Sequence, residues 1–220
     1  MDAAATAFHS GAPVIPLTPR RLVLRGVLLV AGCALSTLCY ALTIRATLGL
    51  GPLYVVQQGL ARTVGMSIGH AVVVTGLALV LLSMALRVLP GPGTLALPVL
   101  GGVLLDAVLP AMPSLHGMWL RAAVVVVATW FMALGGALVI RASIGVAPYD
   151  AVMLGLGART GRSLRAIRLA MELTMLVCGW LLGGTVGAGT VVTGVLIGPA
   201  LHFWLVRLGV PAARRVAPAR

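Results

Sequence analysis

The chain has 220 residues, 60% of them hydrophobic and only 9% charged, and its mean hydropathy is +1.10. A soluble domain carries about 25% charged residues, and no soluble core of this size hides so much apolar surface, so the soluble classes are excluded. The net charge of +12 comes from sixteen arginines and no lysine; they sit at the ends of apolar runs and in the tails, where they set membrane orientation and do not form a nucleic-acid stripe.

In chain order, residues 1–21, with Pro13, Pro16 and Pro19, read as a flexible cytoplasmic tail with no signal peptide. The apolar run 22–45 is too long for a cleaved signal and reads as a retained span. A Gly/Pro break follows, "RATLGLGP" from Arg45 to Pro52, and then a short run over 52–64. A second long run covers 67–88, and "GPGT" at Gly91–Thr94 opens a last run over 94–110. Residues 111–117 form a short connecting loop. The pattern then recurs: a long run over 118–141, the break "RASIGVAP" from Arg141 to Pro148, a short run over 148–160, and long runs over 164–184 and 190–207. Residues 207–220 form a basic tail, expected in the cytoplasm. None of these runs alternates as a membrane barrel strand does, so the class is an all-α polytopic membrane protein.

The recurrence is a repeat at a constant offset of 96 residues, without gaps. It carries Arg25 to Arg121, Arg45 to Arg141, Gly49 to Gly145 and Pro52 to Pro148. It also carries Gly65 and Ser67 to Gly161 and Ser163, and "GPGT" to "GAGT" at Gly187–Thr190. Two membrane repeats, 22–110 and 118–206, cover nearly the whole chain. The long runs reach about 25–36 Å and cross a bilayer with ordinary tilt; the short ones reach about 20 Å and read as half-crossing helices. Three spans per copy predict six spans, two half-crossing helices and inverted copies. Both termini are then cytoplasmic, and Arg45, Arg62 and Arg121 are the only arginines on the wrong side of the charge rule. If the short runs cross, there are eight spans and parallel copies, and the exceptions become Arg45, Arg87 and Arg141. Run length favours six.

Inverted repeats with broken helices are a common plan of secondary transporters, whose site lies where the broken segments meet. The two breaks supply Arg45, Gly49 and Pro52 in one copy and Arg141, Gly145, Pro148 and Asp150 in the other. Small residues let backbone N–H groups face a cavity, proline suits the first helical turn, and the helix N-terminus favours an anion. These residues are the candidate substrate site. The competing reading makes the arginines snorkelling helix ends and Asp150 a first-turn carboxylate that complements the helix dipole.

Glu172 lies about eight residues, or roughly 12 Å, into its run, and an ionisable residue at such depth is a functional candidate. Glu172 and Asp150 are the candidate coupling groups; the plainer role of Glu172 is an i,i+4 pair with Arg168. Asp106 and His202 occupy equivalent positions, which inverted copies send toward opposite faces. Cys33, Cys39 and Cys178 show no pairing or metal spacing and read as small buried hydrophobes. No metal site, cofactor motif or nucleophile motif is visible, so an enzyme is not expected.

The doubled "R-A-x-x-G-x-x-P" pattern, the segment Gly187–Pro199 and the intervening Glu172 resemble the YczE/YyaS/YitT family of bacterial integral membrane proteins, a largely uncharacterised group. Gly145, Pro148, Asp150, Gly189, Thr190, Gly198 and Pro199 of the second copy carry the match best. The first copy departs, with Leu53 and Tyr54 in place of an aromatic–acid pair and Val103 after Gly102. The resemblance implies a bacterial inner-membrane protein and no substrate. The expected function is secondary transport of a small, anionic solute. The alternative is a non-transporting scaffold or accessory subunit whose arginine cluster at 159–168 binds anionic lipid or a partner. The expected partners are the bilayer and a small solute; neither nucleic acid nor a homo-oligomer is indicated.

Overall fold

The structure, a computed structural model, describes residues 19–210. Of the expected N-terminal tail 1–21, residues 1–18 lie outside the described residues and 19–21 belong to the first helix; of the expected basic tail 207–220, residues 211–220 lie outside them and Arg207 ends the last helix. Among the described residues there are eight α-helices: α1 (Pro19–Ala46), α2 (Pro52–Val64), α3 (Ile68–Ala85), α4 (Pro92–Val108), α5 (Met118–Ala142), α6 (Pro148–Thr160), α7 (Leu164–Leu181) and α8 (Ala188–Arg207). A 3₁₀ turn (Leu109–Ala111) extends α4.

Local chemistry sets these boundaries. Pro52 and Pro148 start the short helices α2 and α6, where a missing N–H is harmless. Gly65 and Gly161 end them in the left-handed region, at φ 75° and 65°. Two residues later Ser67 and Ser163 cap α3 and α7, accepting from the N–H groups of His70 and Ala166. The same turn is thus built twice.

Five helices are long and apolar enough to cross a membrane: α1, α3, α4 with its 3₁₀ turn, α5 and α8. Helix α7 stands apart because Arg165, Arg168 and Glu172 fall within its 18 residues. The apolar side chains left exposed, such as Leu81, Val127, Leu181 and Val195, are those a bilayer would cover. Cys33 and Cys39 are buried as expected; Cys178 is exposed, a correction that follows from its place on the less covered α7.

Helices α1 and α5 form the central pair. Ser36 Oγ donates to the carbonyl of Met132, its own mate in the repeat, and Gly32 abuts Gly135. Positions rise along one helix as they fall along the other, so the two run antiparallel and cross near Ser36. Helix α4 lies on α1, and α8 lies on α5. The copies also interlock, since α2 packs on α7 and α6 on α3. Gly59 meets Gly179 and Leu182 in the first of these contacts, and its mate Gly155 meets Leu86 in the second.

The breaks interlock as well. Helix interruption frees backbone polar groups, which a membrane protein must satisfy internally. The N–H of Gly189 donates to the Leu48 carbonyl at 2.7 Å, and that of Leu50 to Thr185 at 3.2 Å. In the other copy the N–H of Gly93 donates to Ile144 at 3.2 Å, and Thr94 Oγ1 to the Val146 carbonyl at 2.7 Å. Each break is therefore docked on the glycine-rich start of the other copy's last helix.

The symmetry fails at one seam. Helices α3 and α4 pack tightly, with Gly69 against Gly102 and Gly76 against Pro98. Helices α7 and α8 have no comparable contact, and Gly194 and Gly198 face open space. At this seam the repeat places Glu172 and Arg165 where α3 has Gly76 and Gly69.

Candidate functional site

Two cavities of about 600 Å³ each concern the predicted residues. The central one reaches from one short helix to the other. Leu53, Tyr54 and Gln57 of α2 line one part, and Pro148, Tyr149 and Asp150 of α6 another. Cys33, Ser36, Thr37 and Tyr40 of α1 contribute, as do Ser143 and Gly145 of the second break. Tyr40 and Tyr54 stack with ring centroids 3.9 Å apart, and the Tyr40 hydroxyl donates to the Tyr54 carbonyl at 3.4 Å.

Several polar groups of this cavity lack partners. Gln57 donates through Nε2 to Thr75 Oγ1 at 3.2 Å, but its buried Oε1 accepts nothing among the described residues. The buried Tyr149 hydroxyl is likewise unpaired. Asp150 forms neither a hydrogen bond nor an ion pair among the described residues; Arg168 is the cation within electrostatic reach. Buried polar groups are normally paired, and here two buried atoms without partners, Gln57 Oε1 and the Tyr149 hydroxyl, stand around one cavity with the unpaired, half-buried carboxylate of Asp150.

The second cavity lies at the Arg45 end of the bundle. Arg45, Arg62 and Arg121 line it with Gln58, Ser114, His116 and Thr185.

The structure divides the predicted site. Gly145, Pro148 and Asp150 line the central cavity, whereas Arg45 lines the second. Arg141 is exposed and lines neither. Each arginine sits nine residues beyond the Ser36–Met132 crossing, in opposite directions, so the two are about 27 Å apart along the helix axes. Gly49 and Gly145 serve the docking of the breaks: a Cβ at Gly49 would lie 2.5 Å from the Gly187 nitrogen, and one at Gly145 would lie 2.7 Å from Thr94 Oγ1. Pro52 starts its helix without lining either cavity. Glu172 accepts from Arg168 Nε at 2.8 Å and lines neither cavity. Asp150 and Tyr54, mates in the repeat, both line the central cavity. Sequence reasoning missed Gln57 and Tyr40; a carboxamide in so apolar a chain was the available signal, since polar groups at membrane depth face protein or a cavity.

Residues 23–205 match a family described as a family of unknown function (DUF6198). The chain belongs to that family. An uncharacterized membrane protein of Bacillus subtilis, YczE, is 30% identical over 210 residues, spanning 91% of this chain and 96% of its own length. An uncharacterized protein of Haemophilus influenzae is 27% identical over 164 residues, 74% of this chain and 75% of its own length. No solved structure matches the chain. The resemblance read from the doubled break holds, and the chain is a multi-pass bacterial membrane protein.

Proposed function

We propose that the chain is a non-enzymatic carrier of a small solute, bound in the central cavity between the two short helices. The observation that carries this reading is the set of unpaired polar groups, Asp150, Gln57 Oε1 and the Tyr149 hydroxyl, on the wall of one cavity of about 600 Å³. That volume suits a metabolite-sized ligand. Among the described residues the only charged side chain on the lining is a carboxylate, and three tyrosines stand beside it. Such a wall favours a solute with a protonated amine over the anion expected from the arginines. The carrier is read as six spans with α7 as the sixth, in inverted copies, in the inner membrane with both termini cytoplasmic. The closed α3–α4 seam and the open α7–α8 seam support alternating access, since two halves of one design in different arrangements are what such a carrier holds at any moment.

The test is a thermal-shift screen of the purified protein against small amines, neutral polyols and carboxylates. A ligand that binds only the folded state raises the unfolding temperature. The expected result is a dose-dependent rise with an amine that Asp150→Asn removes while its unliganded stability falls by no more than about 1 kcal/mol, the loss of a carboxylate from a helix's first turn. A blank for every class, or a response that Asp150→Asn leaves intact, overturns the assignment of the site and favours the scaffold reading.

A further inference from the structure

We infer that the second cavity is a separate anion site, built for a phosphate-type oxyanion. Arg45, Arg62 and Arg121 converge on it from α1, α2 and α5. Each guanidinium is held by one backbone carbonyl: Arg45 Nη2 donates to Leu109 at 2.6 Å, Arg62 Nη1 to Gly183 at 2.6 Å, and Arg121 Nε to Leu115 at 3.0 Å. A guanidinium has five N–H donors in a planar fork, so each is oriented yet keeps most of its donors. The Nε of Arg45 is buried and accepted by nothing among the described residues.

No carboxylate of the described residues balances this charge. The lining contains none, and the two ion pairs among the described residues use Asp106 with His70 and Glu172 with Arg168. Three like charges around one partly enclosed space repel in the empty state, and an oxyanion removes that repulsion while accepting from several forks at once. Gln58, nearly buried and fixed through Oε1 by the Thr185 N–H at 2.7 Å, adds an amide beside the cations, and Ser114 adds a hydroxyl. The charge rule points the same way. In the orientation proposed above, these are the three arginines stranded on the outer face, where cations contribute nothing to insertion.

The competing explanation is capping. Leu109 and Gly183 lie at the C-terminal ends of α4 and α7, where cations satisfy orphan carbonyls. Capping predicts that the arginines stabilise the protein without responding to anions. The experiment measures unfolding temperature of the full chain in neutral detergent, titrating phosphate or sulfate against chloride at constant ionic strength. The same titration is repeated in nanodiscs of neutral lipid with and without phosphatidylglycerol. The expected result is a saturable rise with phosphate or sulfate, weakened at least tenfold in apparent affinity by Arg62→Gln and by Arg121→Gln. Arg159→Gln, which removes an arginine held by the Ala85 carbonyl outside this cavity, should leave it unchanged. A rise confined to phosphatidylglycerol discs identifies the oxyanion as a lipid headgroup; a rise with free phosphate identifies a soluble one. Phenylglyoxal footprinting of the wild type needs no variant to fold: phosphate should protect Arg62 and Arg121 and leave Arg141 reactive. No response to either anion source, or equal responses in wild type and both variants, leaves capping alone and overturns the site. These outcomes are independent of Asp150 and the central cavity, so either proposal can fail without the other.

Discussion

Replacing Gly49 by alanine tests the docking of the first break on the second copy. Gly49 has φ +106°, and an added Cβ would lie 2.5 Å from the Gly187 nitrogen and 2.6 Å from Thr190 Oγ1. The first neighbour is backbone at the start of α8 and cannot rotate away. A side chain in such a backbone region costs about 1–3 kcal/mol, and overpacking a closed contact costs about 1–3 kcal/mol more. The sum, about 2–6 kcal/mol, corresponds to a loss of about 4–24 °C at roughly 2–4 °C per kcal/mol for a chain of this length. The assay is apparent unfolding temperature by tryptophan fluorescence in detergent. Gly145→Ala, at φ +153° with Thr94 Oγ1 at 2.7 Å, should fall in the same direction. Gly194→Ala is the control: it sits inside α8 with nothing within 4 Å, and helix propensity alone makes it neutral or stabilising by up to about 1 kcal/mol. If Gly49→Ala unfolds with the wild type, or no earlier than Gly194→Ala, the docking is wrong.

Thr94→Val should destabilise by about 2–3 kcal/mol, because it strands both the Gly91 N–H and the Val146 carbonyl, whereas Thr190→Val strands only the Gly187 N–H and should cost about 1 kcal/mol. Equal effects on the two unfolding temperatures would contradict the asymmetry. A double-mutant cycle on Arg168→Gln and Glu172→Gln should give a coupling of about 0.5–1 kcal/mol, as for a half-exposed i,i+4 pair; a coupling above about 2 kcal/mol would show that the pair is desolvated and restore Glu172 as a functional group. A single cysteine at Ser114, with the native cysteines replaced, should react with an impermeant thiol reagent from outside intact cells. Protection there would favour eight spans.

Much of this fold was readable because its determinants are local. Pro52, Gly65 and Ser67 and their mates Pro148, Gly161 and Ser163 act within one turn of themselves, so the short helices fall at 52–64 and 148–160 in both sequence and structure. The Arg168–Glu172 pair was legible for the same reason, since four residues on one helix are neighbours whatever surrounds them. The repeat required no structure either, because a constant offset of 96 residues is a property of the string.

What the string left open depended on which copy meets which. Two matched breaks suggested one site shared by Arg45 and Arg141, but antiparallel crossing at Ser36 and Met132 sends the two arginines to opposite ends. The charge rule put Arg45, Arg62 and Arg121 on one face, but only tertiary packing gathered them around one cavity, and only packing left Gln57, Tyr149 and Asp150 facing another. The glycines of the breaks looked like ligand-facing backbone; Gly49 is instead packed against the other copy's helix start, whereas Gly145 is packed in the same way and also lines the central cavity. Sequence by itself determined where the short helices begin and end and that everything is made twice, because capping and periodicity are short-range. Tertiary structure decided what each copy presents to the other, because helices far apart in the chain meet only through side chains that interdigitate, and it closes the α3–α4 seam while its mate α7–α8 stays open.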